Sequence, residues 1–256
     1  MAKDQPVSPI EALARGGYVA RLAASDADVA ACQRLRHLCF VEAARLPVRD
    51  AGLDVDRFDD ACDHVLVEDA TGRLVCCCRV QVFATLGAMQ QGYTGQFYDL
   101  SDLDVPGPYV ELGRFCVAPN VIDADVVRLA WGMLARIVDA LGAKLLFGCS
   151  SFSGLDARAY ADCFDLLAAR HLSCTVGVKA AEVVRFAADA GPVRDRRAAL
   201  ALVPPLLRTY LSMGGWVSDH AVIDREMNTL HVFTGVEIER VPPARAAALR
   251  AVAGRA

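Results

Sequence analysis

No charge of one sign dominates this chain of 256 residues: 27 Lys and Arg stand against 31 Asp and Glu, a formal net charge of -4. The basic excess with which proteins usually grip a phosphate backbone is missing, so nucleic acid is excluded as the expected partner. Long apolar runs are missing too. Nowhere do roughly 18 or more apolar residues follow one another without a charge, and even the stretch 126–141 is broken by Arg128, Arg136 and Asp139, so no segment is expected to span a membrane. The first fifteen residues carry Lys3, Asp4 and two prolines but no apolar run of the kind a signal peptide needs, which predicts a cytoplasmic protein. Metal-binding patterns are absent: there is no paired CxxC and no HExxH, and Cys62 with His64, or Cys32, His37 and Cys39, are the nearest approach. No metal is expected. The ten cysteines show no disulfide framework, and Cys76, Cys77 and Cys78 are consecutive, so they read as reduced core thiols.

What is present is apolar bulk. With 54% hydrophobic and 23% charged residues a disordered chain is excluded, because there is ample surface to bury against the entropy of ordering the backbone. Ser25-Asp26 reads as a helix start, and Val29, Cys32, Leu35 and Cys39 recur at helical spacing to about Leu46. An aspartate-rich loop, 49–63, leads to two extended runs, 64–68 and 74–83, joined by the turn Asp69-Ala-Thr-Gly72 as antiparallel neighbours. Residues 86–108 read as a long loop with a short element at 96–103. A strand at 109–117 ends at Pro119-Asn120, the longest helix spans 126–141 and closes at Gly142, and 144–149 is a short strand. Further on come a helix at 156–169, an extended stretch at 172–178, a polar break at 191–197, a helix at 206–213 and strands near 216–223 and 230–241. These are too few for an independent core. The expectation is one domain over 1–256, with 1–20 as an N-terminal extension and 192–256 as an elaborated C-terminal part. The order is that of a mixed α/β or α+β sheet.

The chemistry concentrates in few places. Residues 50–69 hold eight carboxylates and one basic residue, Arg57, a local balance of -7 that leaves the rest of the chain at +3. Asp56 and Asp59 flank Phe58, a buried aromatic that could tether the loop and aim two carboxylates at a cation. Arg79 shares a strand face with Val75, Cys77, Gln81 and Phe83, and an arginine there requires a carboxylate partner. Arg36 beside the first helix stripe and Arg114 in the strand 109–117 complete a possible ion network. Glu111 lies in Tyr-Val-Glu-Leu-Gly-Arg-Phe-Cys-Val, where a glutamate is costly unless paired or open to a cleft, the setting of a general base. In a regular strand Glu111 and Arg114 face opposite sides. For both to reach one cleft the strand needs a bulge, which the residue types place at Gly113. Gly148-Cys-Ser-Ser-Phe-Ser-Gly154 is not the GxSxG of a hydrolase elbow, and Cys116 and Cys149 read as core.

Arg36-His-Leu-Cys-Phe40, Asp56-Arg-Phe-Asp59, Arg79 and Glu111-Leu-Gly-Arg-Phe115 resemble, in this order, the acyl-homoserine lactone synthases. A closer resemblance, over about 30–235, is to the ornithine N-acyltransferases of bacterial ornithine-lipid synthesis and their hemolysin-like relatives in the GNAT superfamily. It is carried by Phe58-Asp-Asp-Ala-Cys-Asp-His64, Glu111-Leu-Gly-Arg114, Leu146-Phe-Gly-Cys-Ser-Ser-Phe152 and His220-Ala-Val-Ile-Asp224 with Asn228-Thr229. The resemblance implies a GNAT-like acyltransferase fold, a mixed, mostly antiparallel sheet flanked by helices and splayed at a bulged central strand. It implies a 3-hydroxyacyl chain moved from the phosphopantetheine thioester of acyl carrier protein, with no other cofactor, to the α-amine of L-ornithine or a related amino acid. Between Val117 and Trp131 the sequence lacks the Gln/Arg-x-x-Gly-x-Gly/Ala loop of acetyl-CoA users, and two aspartates stand at the helix start.

In this reading Glu111 is the base. Arg114 or Arg79 takes the substrate carboxylate, Asp56 and Asp59 take its ammonium or hold an arginine such as Arg36, and the backbone of Phe115, Cys116 and Val117 faces the acyl donor. A lipid product implies contact with the inner membrane surface. The mildly basic body suits an acidic carrier protein and the acidic loop a cationic amino acid. The alternatives are a glutamine or other amino-acid N-acyltransferase, an acyl-homoserine lactone synthase, and a non-catalytic acyl-carrier-binding module.

Overall fold

The computed structural model describes residues 10–47, 50–172, 176–186, 193 and 195–254. Its elements begin with β1 (Leu13–Arg15), β2 (Tyr18–Leu22), α1 (Asp26–Arg36), β3 (Asp63–Glu68), β4 (Leu74–Phe83), α2 (Leu86–Met89), β5 (Tyr98–Asp99), β6 (Tyr109–Val117) and α3 (Ala124–Leu141). They continue with β7 (Leu145–Ser153), α4 (Ala161–His171), β8 (Gly177–Val178), β9 (Val183–Arg185), α5 (Arg196–Leu202), α6 (Pro205–Ser212), β10 (Trp216–Val217), β11 (His220–Asp224), β12 (Thr229–Glu237) and α7 (Pro243–Val252). The chain forms two units: the first takes it up to Ala84, then Val110–Ala143 and the part from Pro243 onward, and the second takes Thr85–Tyr109 and Lys144–Pro242.

In the first unit the strands run in the order β1-β2-β3-β4-β6, with β1 to β4 successively antiparallel. The expected hairpin is made by its turn residues. Asp69 Oδ1 accepts from the backbone N–H of Thr71 at 2.9 Å and of Arg73 at 3.1 Å, and Gly72 takes the left-handed φ of 82°. Helix α1 starts where the sequence predicts: Ser25 is extended and its side chain accepts from Asp28 N–H. It does not run on as regular helix to Leu46, however, but widens into a π-helical turn over His37–Glu42. Arg21 on β2 clamps the start of α1, bonding both carboxylate oxygens of Asp28 and both of Glu68 at 2.8 Å.

Helix α3 buries Val126, Leu129, Ala130, Trp131, Met133, Leu134, Ile137 and Val138 and ends at left-handed Gly142. A Cβ on Gly132 would stand 2.8 Å from Val252 and 3.4 Å from Leu13, so α7 packs here at a distance that favours glycine, with β1 in van der Waals range. At its N-terminus Asp123 accepts from Asp125 N–H at 2.9 Å, and Asp125 pairs with Arg15 and Arg128. The first-turn amide thus already has a carboxylate acceptor. The strands β1 and β2, which hydropathy alone did not announce, complete the strand order of this unit.

In the second unit β7, β12, β11 and β9 are successively antiparallel, and β10 also pairs with β12. Strand β7 runs to Ser153, four residues beyond the expected end, because β12 pairs with all of it from Leu145↔Glu237 to Ser153↔Thr229. One face of this sheet packs on α4, α5 and α6 through Phe152, Cys163, Phe164, Leu167, Val203, Leu207, Ala221, Leu230 and Val232. The short element expected at 96–103 is β5, paired with β8. Of the polar break at 191–197, residues 191, 192 and 194 lie outside the described residues, as does part of the extended stretch 172–178, while Asp195 caps α5 and Arg196 and Arg197 begin it.

Candidate active site

Strand β4 carries Arg79, β6 carries Arg114, and α1 ends on Arg36. All three point at the loop before β3, where Asp54, Asp56 and Asp59 are spaced to meet them. Arg36 donates through Nε to Asp54 Oδ2 at 2.7 Å and through Nη1 to Asp59 Oδ1 at 2.8 Å. Arg79 grips both oxygens of Asp56, at 2.6 and 2.7 Å, and also Asp59 Oδ1 at 2.6 Å. Arg114 reaches Asp54 Oδ2 at 3.0 Å and Asp56 Oδ2 at 3.1 Å. Each carboxylate therefore serves two guanidinium groups and each guanidinium two carboxylates, so three charges of each sign cancel. Bidentate contacts of this kind are the strong ones.

Burial grades across the network. Arg36 side-chain exposure is 0%, Arg79 3% and Asp59 4%, whereas Asp54 is 10%, Arg114 11% and Asp56 21%. The Asp56–Arg114 pair is the open edge. Burial by itself raises the pKa values of Asp59 and Asp56, but the hydrogen bonds and charge of Arg36 at Asp59, and of Arg79 at Asp56, outweigh it and hold both carboxyls below the usual carboxylate range. Burial lowers the pKa of Arg79 and its hydrogen bond to Asp56 restores and exceeds it, so the guanidinium stays charged. Phe58 is buried as expected, with Arg57 and Arg79 carbons 4.9 and 5.8 Å from its ring centroid, and it tethers the loop between the two aspartates.

Glu111 is buried on β6, and its charge is felt at Cys62, whose thiol burial and Glu111 push up to about 12 against the opposing Arg79. The face it occupies follows from its neighbours. A Cβ on Gly113 would lie 3.5 Å from Arg79 Nε, and Cys116 Sγ lies 3.5 Å from Cys77 Sγ. Arg79 and Cys77 share a face of β4, so positions 113 and 116 share a face of β6 although three residues separate them. One irregularity must intervene. It is Arg114, with φ 54°, a left-handed residue inside a strand. The anticipated bulge is there, but it sits at Arg114 rather than Gly113, because the pull of Asp54 and Asp56 on the guanidinium offsets what a side chain loses at positive φ. Position 111, two before 113, keeps the same face. Phe115 turns the other way and stacks on Trp131, centroids 6.2 Å apart.

Every side chain the sequence singled out for the ion network is therefore brought together. Asp54 and Gln33 were missed as members. Gln33 Nε2 donates to Asp59 Oδ2 at 3.0 Å, and Asp54 links Arg36 to Arg114. The available signal was Asp54-Val-Asp56, whose alternation puts two carboxylates on one side of an extended segment. Also missed was His64, which lies opposite Arg79 in the β3–β4 register. Its Nε2 donates to the Asp59 carbonyl at 3.3 Å, which leaves Nδ1 a buried lone pair, and burial lowers its pKa.

A second polar cluster lies on the β12–β11 face of the second unit. Tyr98 donates its one hydroxyl proton to the His231 carbonyl at 2.8 Å, so His231 Nδ1, 3.1 Å from the same oxygen, is the donor and Nε2 a lone pair. His220 Nδ1 lies 2.7 Å from Asp219 Oδ1, which likewise leaves its Nε2 bare and buried. Burial, and then the neighbouring His220, lower the His231 pKa to about 3, so this imidazole is neutral. Among the described residues no group of three or more His, Cys, Asp or Glu side chains is arranged to hold a metal ion.

Residues 35–132 match the model of the Acetyltransferase (GNAT) domain, and the mixed, mostly antiparallel sheet flanked by helices is that of a GNAT-like acyltransferase. A solved structure of BjaI, a CoA-dependent acyl-homoserine lactone synthase with SAM and isopentyl-CoA, aligns with TM-score 0.48 and 15% identity over 90% of this chain and 84% of that one. Sequence likeness goes further. An L-ornithine N(alpha)-acyltransferase of Rhodobacter capsulatus is 34% identical over 227 residues, 84% of this chain and 88% of that protein. One from Brucella abortus is 32% identical, covering 88% of this chain and 86% of its own length. The chain belongs to the family of L-ornithine N(alpha)-acyltransferases.

Proposed function

We propose that this acyltransferase moves a 3-hydroxyacyl chain from the phosphopantetheine thioester of acyl carrier protein to the α-amine of L-ornithine, giving lyso-ornithine lipid. The observation that carries the reading is the 34% identity across 84% of the chain to a protein with that acceptor in its name. The residues supply a consistent chemistry. Glu111 takes a proton from the α-ammonium, directly or through water. The freed nitrogen attacks the thioester carbonyl, the C–S bond breaks, and the carrier thiol leaves with a proton. The N–H groups of Phe115, Cys116 and Val117 stabilise the oxyanion, each such donor contributing roughly 3 to 4 kcal/mol.

Ornithine is read at the open edge of the ion network. Arg114, the most exposed of the three arginines, takes the α-carboxylate, and Asp56, the most exposed of the three aspartates, takes the side-chain ammonium. Asp59, Arg36 and Arg79, already satisfied and buried, hold that edge in place. A single-chain amphiphilic product calls for release at the inner membrane surface, with the protein acting peripherally from the cytoplasm; no described helix is long and apolar enough to cross a membrane.

The test is incubation of purified protein with 3-hydroxyacyl carrier protein and, separately, L-ornithine, L-glutamine and S-adenosylmethionine, with mass detection of products. N-acylornithine as the main product supports the reading. N-acylglutamine or a lactone in its place overturns the acceptor, and carrier binding without any transfer overturns the reaction.

A further inference from the structure

Helix α5 forms a ridge on the second unit. It lies against α4, yet of its residues Arg196-Arg-Ala-Ala-Leu-Ala-Leu202 only Ala199 is buried. At roughly 100° per residue, Arg197 and Ala201 point away from Ala199, while Leu200 lies on one side of the ridge and Leu202 on the other. Both leucines are 42% exposed. Just beyond them Val203 and Leu207 are buried and Pro204 and Pro205 lead into α6, so the ridge is anchored from behind. Its charges are as open as its leucines. Elsewhere in this unit Lys144, Arg185, Arg225 and Arg240 each pair with a carboxylate, at 2.6, 2.7, 2.6 and 2.9 Å. Arg196, Arg197 and, on α6, Arg208 are exposed, and among the described residues their guanidinium groups meet no carboxylate. Asp195, the adjacent acid, is spent on the helix start, where its Oδ1 accepts from Arg197 N–H at 2.9 Å and Ala198 N–H at 3.0 Å.

We propose that α5 is the surface by which this protein docks on a bilayer carrying anionic phospholipids. Leucines left in water beside unpaired arginines are the composition of a helix that lies in the headgroup layer. There Leu200 and Leu202 enter the acyl boundary, and the arginines lay their stems along it and hold their guanidinium groups among the phosphates. Charge complementarity alone fits two anionic partners, a bilayer and an acidic carrier protein, and the shape of the ridge separates them. The two leucines lie roughly 160° apart around the helix axis. A folded protein buries both only if it offers a groove cut to the ridge, whereas a fluid headgroup layer closes around both sides. That this docking serves the release of a single-chain amphiphile rests on the proposed function; the docking itself does not.

Purified full-length protein, without substrate, is sedimented with vesicles of phosphatidylcholine alone and of phosphatidylcholine mixed equally with phosphatidylglycerol, at low and at high salt. The expected result is cosedimentation with the mixed vesicles only, weakened by salt. Arg196→Gln combined with Arg197→Gln should weaken the partition about 25-fold, roughly fivefold for each arginine at an anionic surface. Leu200→Ser combined with Leu202→Ser should weaken it about tenfold. Melting temperatures measured on the same samples show that both variants are folded. Equal sedimentation of the parent protein with both kinds of vesicle, or none with either, overturns the proposal, and so does undiminished sedimentation of either double variant. If the arginine variant keeps its vesicle binding and instead raises the KM for 3-hydroxyacyl carrier protein, the ridge belongs to the carrier and the proposal falls. A protein that transfers no acyl chain to ornithine fails the proposed function, while the sedimentation still decides the surface.

Discussion

The two buried polar clusters, one in each unit, are satisfied in opposite ways. The network of Arg36, Arg79 and Arg114 with Asp54, Asp56 and Asp59 is made of full charges, each matched by two of the other sign. The cluster of Tyr98, His220 and His231 is neutral at its centre, and it leaves two imidazole lone pairs without a partner among the described residues. The first tolerates no missing member, because any single deletion strands a buried charge. The second loses only a hydrogen bond when a member is removed, but it resists protonation, since burial disfavours the imidazolium. The charged cluster is thus the rigidly cross-linked part of the fold, and the neutral one is its pH-sensitive part.

The largest break in this comparison is Arg79→Met, which leaves Asp56 and Asp59 facing each other without their shared cation. Unfolding stability should fall by about 3–5 kcal/mol, read from denaturant titration. A loss under 1 kcal/mol would mean that the network is looser than its distances. Next is Tyr98→Phe. It strips the His231 carbonyl and Nδ1 of their common partner and should cost about 1–3 kcal/mol. If it costs as much as Arg79→Met, the distinction between the clusters collapses.

The smallest effect is the most discriminating, because it assigns each cluster its own pH window. His231 has a folded pKa of about 3 against an ordinary 6.5, so between these values the unfolded state binds the extra proton and stability rises with pH. As pH falls below about 6.5, His231 alone should remove up to about 1.4 kcal/mol per pH unit, and His231→Phe should flatten that slope. Asp56 and Asp59 are lowered from 3.8, so their contribution is complete above that value and is lost only as pH falls through their folded pKa values. Melting temperatures between pH 7 and 5 therefore report the histidines and not the aspartates. An unchanged slope in His231→Phe would contradict this.

Much of the ion network was legible because an arginine in an apolar strand demands a carboxylate, and the loop rich in aspartate was the nearest source. The hairpin and α3 were legible for equally local reasons, the Asp69 turn and a helical period closed by glycine. The need for an irregular strand between Glu111 and Arg114 followed from side-chain parity alone. Its position did not, since residue type points to Gly113 and only the tertiary ion pairs make left-handed Arg114 affordable. The histidine cluster was hidden for a different reason: His220 and His231 are eleven positions apart and meet Tyr98 only through strand register and the fold of a long loop. His64 was weighed only as part of a metal pattern and turned out to be a neutral neighbour of Asp59.

The central claim is that buried Glu111, on the face of β6 that meets Arg79, takes the proton from the acceptor amine. The direct measurement is the transfer rate of Glu111→Gln with 3-hydroxyacyl carrier protein and L-ornithine, beside its melting temperature. The account predicts a fall in kcat of about 10²- to 10⁴-fold with the fold and the KM for ornithine little changed. A variant that turns over at the rate of the parent protein would contradict it.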